Sequence, residues 1–160
     1  MKQLLYLILI LPLLAMTPPN KEAKQRKVVE EYVYTLLNTD DDTIRAIRNN
    51  EDIAKLSSLL KLTRTYTKEE IDNAIDFLLF VKRTLKGHRY KILNFEQADE
   101  KLKTEGGAVA SDRGDVYYIY DKDLKGVFFQ AAVVVDDDNK IISIAIGMCL
   151  NPKRLCFLYL

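Results

Sequence analysis

The sequence predicts an α+β fold in which N-terminal helices pack on a curved antiparallel sheet of about four to five strands. Apolar residues recur at helical spacing in the first half and alternate after Gly87. A chain of 160 residues, 48% hydrophobic and 29% charged, suits one globular domain. Its 24 basic and 23 acidic residues leave no charge excess to attract nucleic acid, so we expect no nucleic-acid partner.

Residues 1–16 are predicted to be a secretory signal peptide. Lys2 precedes an apolar run over Leu4–Met16, and polar sequence begins at Thr17. The run is short of the roughly 20 residues that span a bilayer, although an uncleaved membrane anchor remains the alternative. We therefore expect an exported protein, periplasmic or extracellular, whose mature chain has no membrane span and whose domain covers residues 21–160.

Four helices are predicted before Gly87. The first covers residues 21–38, where valines, leucines and a tyrosine recur on one face. Aspartates 40–42 offer capping oxygens to a short second helix, and Asn50 can cap a third. The fourth has the clearest start, because Thr67 and Glu70 have the spacing of a capping box.

Alternating residues predict four strands and a terminal hairpin. The strands cover residues 89–96, 115–120, 127–135 and 141–150, and the hairpin covers residues 149–160. A two- or four-residue loop after Val135 would place Val133 and Ile144 on one face. Pairing Tyr120 with Val127 would add Tyr118 and Tyr120 to that face, which we expect the helices to cover.

Tyr118 and Tyr120 are the candidate ligand-binding residues. A phenol on a buried face must satisfy its hydroxyl, and two together can donate hydrogen bonds to a ligand. The alternative is that both hydroxyls bond to backbone carbonyls or reach the sheet rim. The single histidine, His88, follows a helix end, where a surface or capping role is the simpler interpretation.

Acidic clusters have ordinary explanations as well. Aspartates 40–42 lack the glycine and spaced ligands of a calcium loop, and helix-start electrostatics accounts for them. Glu96, Asp99 and Glu100 stand beside lysines, which indicates a charge-balanced loop. Two cysteines and one histidine are too few for a structural zinc site, so we expect no metal and no cofactor.

Cys149 and Cys156 flank a predicted turn at residues 151–154. If that turn is the loop, Leu150 faces Leu155 and the two cysteines face each other, at a spacing that a disulfide can bridge. Export would favour that bond. Two separately buried thiols are the alternative.

The order of elements resembles the nuclear-transport-factor-2-like and wider cystatin-like folds. The resemblance rests on residues 28–38 (VVEEYVYTLLN), similar to that family's opening helix, and on VVVDDDNKIISI within residues 127–144, similar to its closing hairpin. It covers about residues 24–147, and the terminal hairpin lies outside it. The resemblance implies a cone-shaped space between sheet and helix, which serves as a catalytic cavity, a ligand site or plain core in different members.

The functional expectation follows from what the sequence contains. It has no nucleophile elbow, phosphate-binding glycine loop or metal-binding helix motif. We therefore expect a non-catalytic binding or interaction module, with a small molecule or a protein as partner. The alternative is a carrier, or an isomerase or dehydratase, that uses the cone with Tyr118 and Tyr120 as donors. An envelope protein held by an uncleaved leader is a third interpretation.

Overall fold

The helices precede the strands, as predicted, in a computed structural model that describes residues 20–62, 64–97, 111–121, 130–148 and 155–159. The helices are α1 (Lys21–Asn38), α2 (Asp41–Arg45), α3 (Asn50–Leu56) and α4 (Lys68–Leu85). The strands are β1 (Tyr90–Asn94), β2 (Asp115–Asp121), β3 (Gln130–Val135), β4 (Ile141–Met148) and β5 (Leu155–Tyr159). The α+β class is therefore confirmed.

Short polar side chains begin the helices. Asp40 caps α2, and Thr67 and Glu70 form the predicted capping box of α4. The cap of α3 is Asn49 rather than Asn50, which instead lies inside the first turn. The caps satisfy backbone N–H groups that have no partner within the helix.

The strands form one antiparallel sheet in the order β1-β2-β3-β4-β5, so β1 lies at an edge. The segment before α4 extends this sheet locally, because the Ile141 N–H donates to the Leu59 carbonyl at 2.8 Å and the Lys61 N–H donates to the Ile141 carbonyl at 2.9 Å. This contact fixes the segment between α3 and α4 against the start of β4.

The main core lies between the helices and one face of the sheet. Its members are buried apolar side chains from α1, α4 and the strands, among them Val29, Val33, Leu78, Leu79, Tyr117, Ile119, Val133, Val135, Ile141 and Ile144. A smaller cluster covers the opposite face and contains Val116, Tyr118, Ala132, Val134 and Ile142, with Phe95 packed on it. Core side chains therefore fill the space under the helices.

The prediction that Tyr118 and Tyr120 lie on the helix-covered face of β2 is wrong. Tyr120 pairs with Gln130, not with Val127, so the register differs by an odd number of residues. Because side chains alternate along a strand, such a shift moves every side chain to the other face. Tyr117 therefore faces the helices, and Tyr118 lies in the cluster on the opposite face.

The turn before β4 also differs from the prediction. Asp136 N–H donates to the Lys140 carbonyl at 2.9 Å, which closes a three-residue loop with Asn139 at φ 59°. A loop of this length would misplace Ile144, but a bulge follows, since Val135 pairs with Ile141 whereas Val134 pairs with Ser143. The extra residue lies in β4 and places the Ile144 side chain on the sheet face that the helices cover.

A buried lysine ties the helices together. Lys82 of α4 is 7% exposed, and its Nζ donates to the Thr39 carbonyl and to Asp41 Oδ1, the latter at 2.7 Å. The ammonium lowers the pKa of the Asp41 carboxyl. Lys82 therefore joins α4 to the junction between α1 and α2.

The terminal hairpin has a different register from the predicted one. Leu155 pairs with Met148, and Cys156 pairs with Gly147, two residues before Cys149. Cys149 lies outside the described residues, so the disulfide with Cys156 stays a prediction. β4 and β5 therefore do not adopt the predicted register, in which Cys156 pairs with Cys149.

Within the described ranges no helix is both long and apolar enough to cross a membrane. The predicted signal peptide, residues 1–16, lies outside those ranges.

Candidate functional site

A cavity of about 400 Å³ lies where the start of α1 meets the end of β1 and the start of β2. We call it the α1–β2 cavity. Its lining comprises Lys21, Glu22, Gln25, Asn94, Phe95, Glu96, Ser111, Gly114, Asp115, Val116 and Tyr117. Its volume falls within the roughly 300–1,000 Å³ of small-molecule sites. Helix, strand and loop residues all contribute, so its shape depends on the fold rather than on one segment.

A buried hydrogen-bond chain forms one wall of the cavity. The Tyr117 hydroxyl donates to Gln25 Oε1 at 3.0 Å, and Gln25 Nε2 donates to the Asp136 carbonyl at 3.2 Å. The Gln25 side chain also contributes, after Lys21, to the lowered pKa of the Asp115 carboxyl. Both Gln25 and Tyr117 are 1% exposed. Because a carbonyl can only accept, the Asp136 carbonyl fixes the orientation of the amide and therefore the direction of the whole chain.

Burial, followed by the nearby Asp115 and Glu22 carboxylates, raises the pKa of Tyr117 to about 12. The hydroxyl is therefore protonated at neutral pH. Since its proton is directed to Gln25 Oε1, with the Glu22 carbonyl as a more distant acceptor at 3.5 Å, its oxygen lone pairs remain as acceptors. Tyr117 can therefore accept a hydrogen bond from a ligand, and it is not set up as a base.

Lys21 closes the outer side of the cavity. Its Nζ lies 2.9 Å from Asp115 Oδ2 and 2.7 Å from Asp137 Oδ1, which connects α1 to β2 and to the turn before β4. These carboxylates raise the pKa of Lys21, and Lys21 is the main cause of the lowered pKa of Asp115. The Lys21 ammonium is therefore already paired with two carboxylates.

Arg26 connects α1 to the edge strand beside the cavity. Its Nη2 lies 2.9 Å from Glu22 Oε1 and donates to Gln97 Oε1 at 2.7 Å, while its Nη1 donates to the Ile92 carbonyl. Gln97 in turn donates to Glu22 at 2.8 Å, and its own Oε1 accepts the Asn94 N–H at 3.2 Å. These contacts fix Glu22 at the cavity wall.

Glu96 differs from the other acidic residues of the lining. It is exposed, and among the described residues its carboxylate has no ion-pair partner. Among the residues that the structure describes, the charged members of the lining are Glu22, Glu96, Asp115 and Lys21, so carboxylates outnumber ammonium groups. The described part of the lining is therefore net acidic.

A second, more open hollow of about 780 Å³ lies beyond Arg26, between α1 and β1. Its residues are Arg26, Lys27, Glu30, Glu31, Tyr34, Tyr90, Lys91 and Ile92. The numbers of acidic and basic side chains are nearly equal there, and the Tyr34 side chain is exposed. This hollow therefore has fewer charge and hydrogen-bonding features that would favour one class of ligand than the α1–β2 cavity has.

Of the residues singled out from the sequence, Glu96 lines the α1–β2 cavity, whereas Tyr118 and His88 do not. Tyr118 is fully buried in the cluster on the opposite sheet face and does not line the α1–β2 cavity, and the side chain of Tyr120 lies outside what the structure describes. His88 is exposed, with its N–H bonded to the Leu85 carbonyl at 3.1 Å, which agrees with a surface position after a helix. Asp99 and Glu100 lie outside the described residues.

Two signals for this site were present in the sequence. Gln25 occupies the same helical stripe as Val29, Tyr32 and Leu36, where a polar residue implies a buried hydrogen bond. The second signal is the alternation along β2, which separates Tyr117 from Tyr118; the predicted pairing of Tyr120 with Val127, in place of Gln130, puts Tyr117 on the wrong face. In the part of the chain that the structure describes, no group of histidines, cysteines and carboxylates could hold a metal ion.

No protein-family model, no curated protein and no solved structure matches the chain. The resemblance to nuclear-transport-factor-2-like and cystatin-like folds accordingly remains a hypothesis.

Proposed function

We propose that the chain is an exported, non-catalytic binding module and that its ligand site is the α1–β2 cavity. The observation that carries the proposal is the chain from Tyr117 through Gln25 to the Asp136 carbonyl. It orients polar groups at the cavity wall before any ligand arrives. Preorganised polar groups in a concave site reduce the cost of binding.

The packing of the core supports a site at the periphery of the sheet. Tyr117, Val133 and Ile144 pack against helix residues such as Val29 and fill the space where the resemblance would place a cone-shaped pocket. The phenol of Tyr117 extends from this core to the cavity lining. A ligand in the α1–β2 cavity would therefore contact a rigid wall.

The test is native mass spectrometry of the protein purified from its own host. We expect a retained low-mass ligand. Ser111→Trp should abolish the retention, because Ser111 lines the cavity and an indole there would fill it. The matched control is Ser58→Trp, at an exposed serine outside the lining. Circular dichroism and thermal melting establish that both variants fold.

Two results would refute the proposal. One is wild-type protein that carries no ligand and whose melting temperature no compound in a metabolite screen raises. The other is a ligand that Ser111→Trp and Ser58→Trp retain equally. Export is tested separately by N-terminal sequencing of the protein from its native compartment, which should begin close to residue 17 if the signal peptide is removed.

A further inference from the structure

We propose that the α1–β2 cavity binds a small organic ammonium ion. This inference rests on the proposed function and adds the chemical class of the ligand. It depends on three properties of the described lining. These are the direction of its hydrogen bonds, its charge, and the Phe95 ring beside the Glu96 carboxylate, which has no ion-pair partner among the described residues.

The first property is a surplus of hydrogen-bond acceptors. The Tyr117 hydrogen is used by Gln25 Oε1 at 3.0 Å, and the Gln25 amide donates to the Asp136 carbonyl at 3.2 Å. The Lys21 ammonium is used by Asp115 and Asp137. The phenol oxygen and the carboxylates are left to accept, so a ligand with several N–H donors complements this wall.

The described lining also contains donors, namely the third Lys21 hydrogen, the Ser111 hydroxyl and the Asn94 amide. The Asn94 oxygen accepts the Gln97 N–H at 2.8 Å, which leaves the Asn94 amide hydrogens for a ligand. These donors stand against acceptors on Tyr117, Glu96 and Asp115, so the balance still favours a donor-rich ligand.

The second property is charge. In the described part of the lining, Glu22, Glu96 and Asp115 stand against one basic residue, Lys21. Arg26 offsets Glu22 at 2.9 Å, and Lys21 offsets Asp115 at 2.9 Å. The Glu96 carboxylate is the lining charge that none of these ion pairs neutralises. A cation would complete the balance, whereas an anion would meet repulsion.

The third property is the position of Phe95 next to Glu96. Phe95 is half-buried. Its side chain lines the cavity and also packs on the smaller cluster, which covers the sheet face opposite to the helices. The face of an aromatic ring attracts cations. An ammonium group near Glu96 would therefore have a carboxylate and a ring face as neighbours.

The test compares three four-carbon compounds that differ in their end groups: 1,4-diaminobutane, 1,4-butanediol and succinate. Each is titrated into the full-length protein by calorimetry and by ligand-detected NMR at low and high salt. We expect binding of the diamine only, weakened by salt. Glu96→Gln should raise the Kd by about three- to tenfold, since an exposed carboxylate is partly screened. The charge-matched control, Glu69→Gln on the exposed face of α4, should leave the Kd unchanged.

Several results would overturn the ammonium assignment. These are binding of the diol or succinate as tight as that of the diamine, no binding of any of the three, or equal effects of Glu96→Gln and Glu69→Gln. If the diol or succinate binds and Ser111→Trp abolishes it, the cavity is a ligand site of another chemical class. If nothing binds and native mass spectrometry finds no ligand that Ser111→Trp removes, the proposed function fails with it.

Discussion

The hydrogen bond between Gln25 and Tyr117 offers the sharpest test of the described structure. Gln25→Leu keeps the approximate volume but removes two hydrogen bonds. The Asp136 carbonyl keeps only the Asn139 N–H at 3.1 Å, and the Tyr117 hydroxyl keeps only a longer contact, at 3.5 Å, to the Glu22 carbonyl. Because one hydrogen bond contributes about 0.5–1.5 kcal/mol net, the free energy of unfolding should fall by about 1–3 kcal/mol. Tyr117→Phe leaves Gln25 Oε1 without its hydroxyl donor and should cost about 1–2 kcal/mol.

The double variant Gln25→Leu, Tyr117→Phe distinguishes a real bond from simple proximity. It removes both partners, so no hydroxyl is left unsatisfied, and its cost should be smaller than the sum of the single costs by about 1 kcal/mol or more. Urea unfolding measures all four proteins. With a typical slope the urea midpoint of Gln25→Leu should fall by about 0.5–1.5 M. Strictly additive costs, or a Gln25→Leu variant more stable than wild type, would refute the inferred bond.

Three further outcomes follow from other contacts. Gly114→Ala should cost about 2 kcal/mol or more in a urea melt, because the added Cβ would overlap a β3 carbonyl. Lys82→Met, which keeps the buried stem but leaves the half-exposed Asp41 with only its 4.0 Å contact to Arg83, should cost about 1–3 kcal/mol and lower the melting temperature. Arg64 and the Thr67 backbone hold the pKa of Glu70 at about 2, below its unfolded value, so this stabilisation is present above about pH 4.5 and should disappear in urea melts as the pH falls toward 2.

The helices could be predicted because their signals are local. Asp40 caps the helix that follows it, and Thr67 and Glu70 form their capping box within one turn. Such contacts depend on neighbours in sequence, and the rest of the chain does not have to be known. The strand positions also followed from local alternation. The predicted segment 115–120, for example, corresponds to β2 at Asp115–Asp121.

The faces of the sheet could not be predicted with the same rules, because they depend on loop lengths. Pairing Tyr120 with Gln130 instead of Val127 exchanged the environments of Tyr117 and Tyr118. At the next turn two departures compensated each other, since the three-residue loop and the bulge together leave Ile144 on the helix side. The candidate site was missed for this reason: its tyrosine was expected on the opposite face.

The side chains of Arg26 and Gln97 at the edge strand have a consequence for self-association. An exposed strand edge offers unpaired backbone groups to a strand from another molecule. Here the Ile92 carbonyl is occupied by the Arg26 guanidinium and the Asn94 N–H by Gln97, so an incoming strand would first have to displace a charged side chain. The contact that shapes the cavity wall therefore also opposes edge-to-edge aggregation, and a ligand that drew Arg26 away from β1 would make the protein more prone to polymerise.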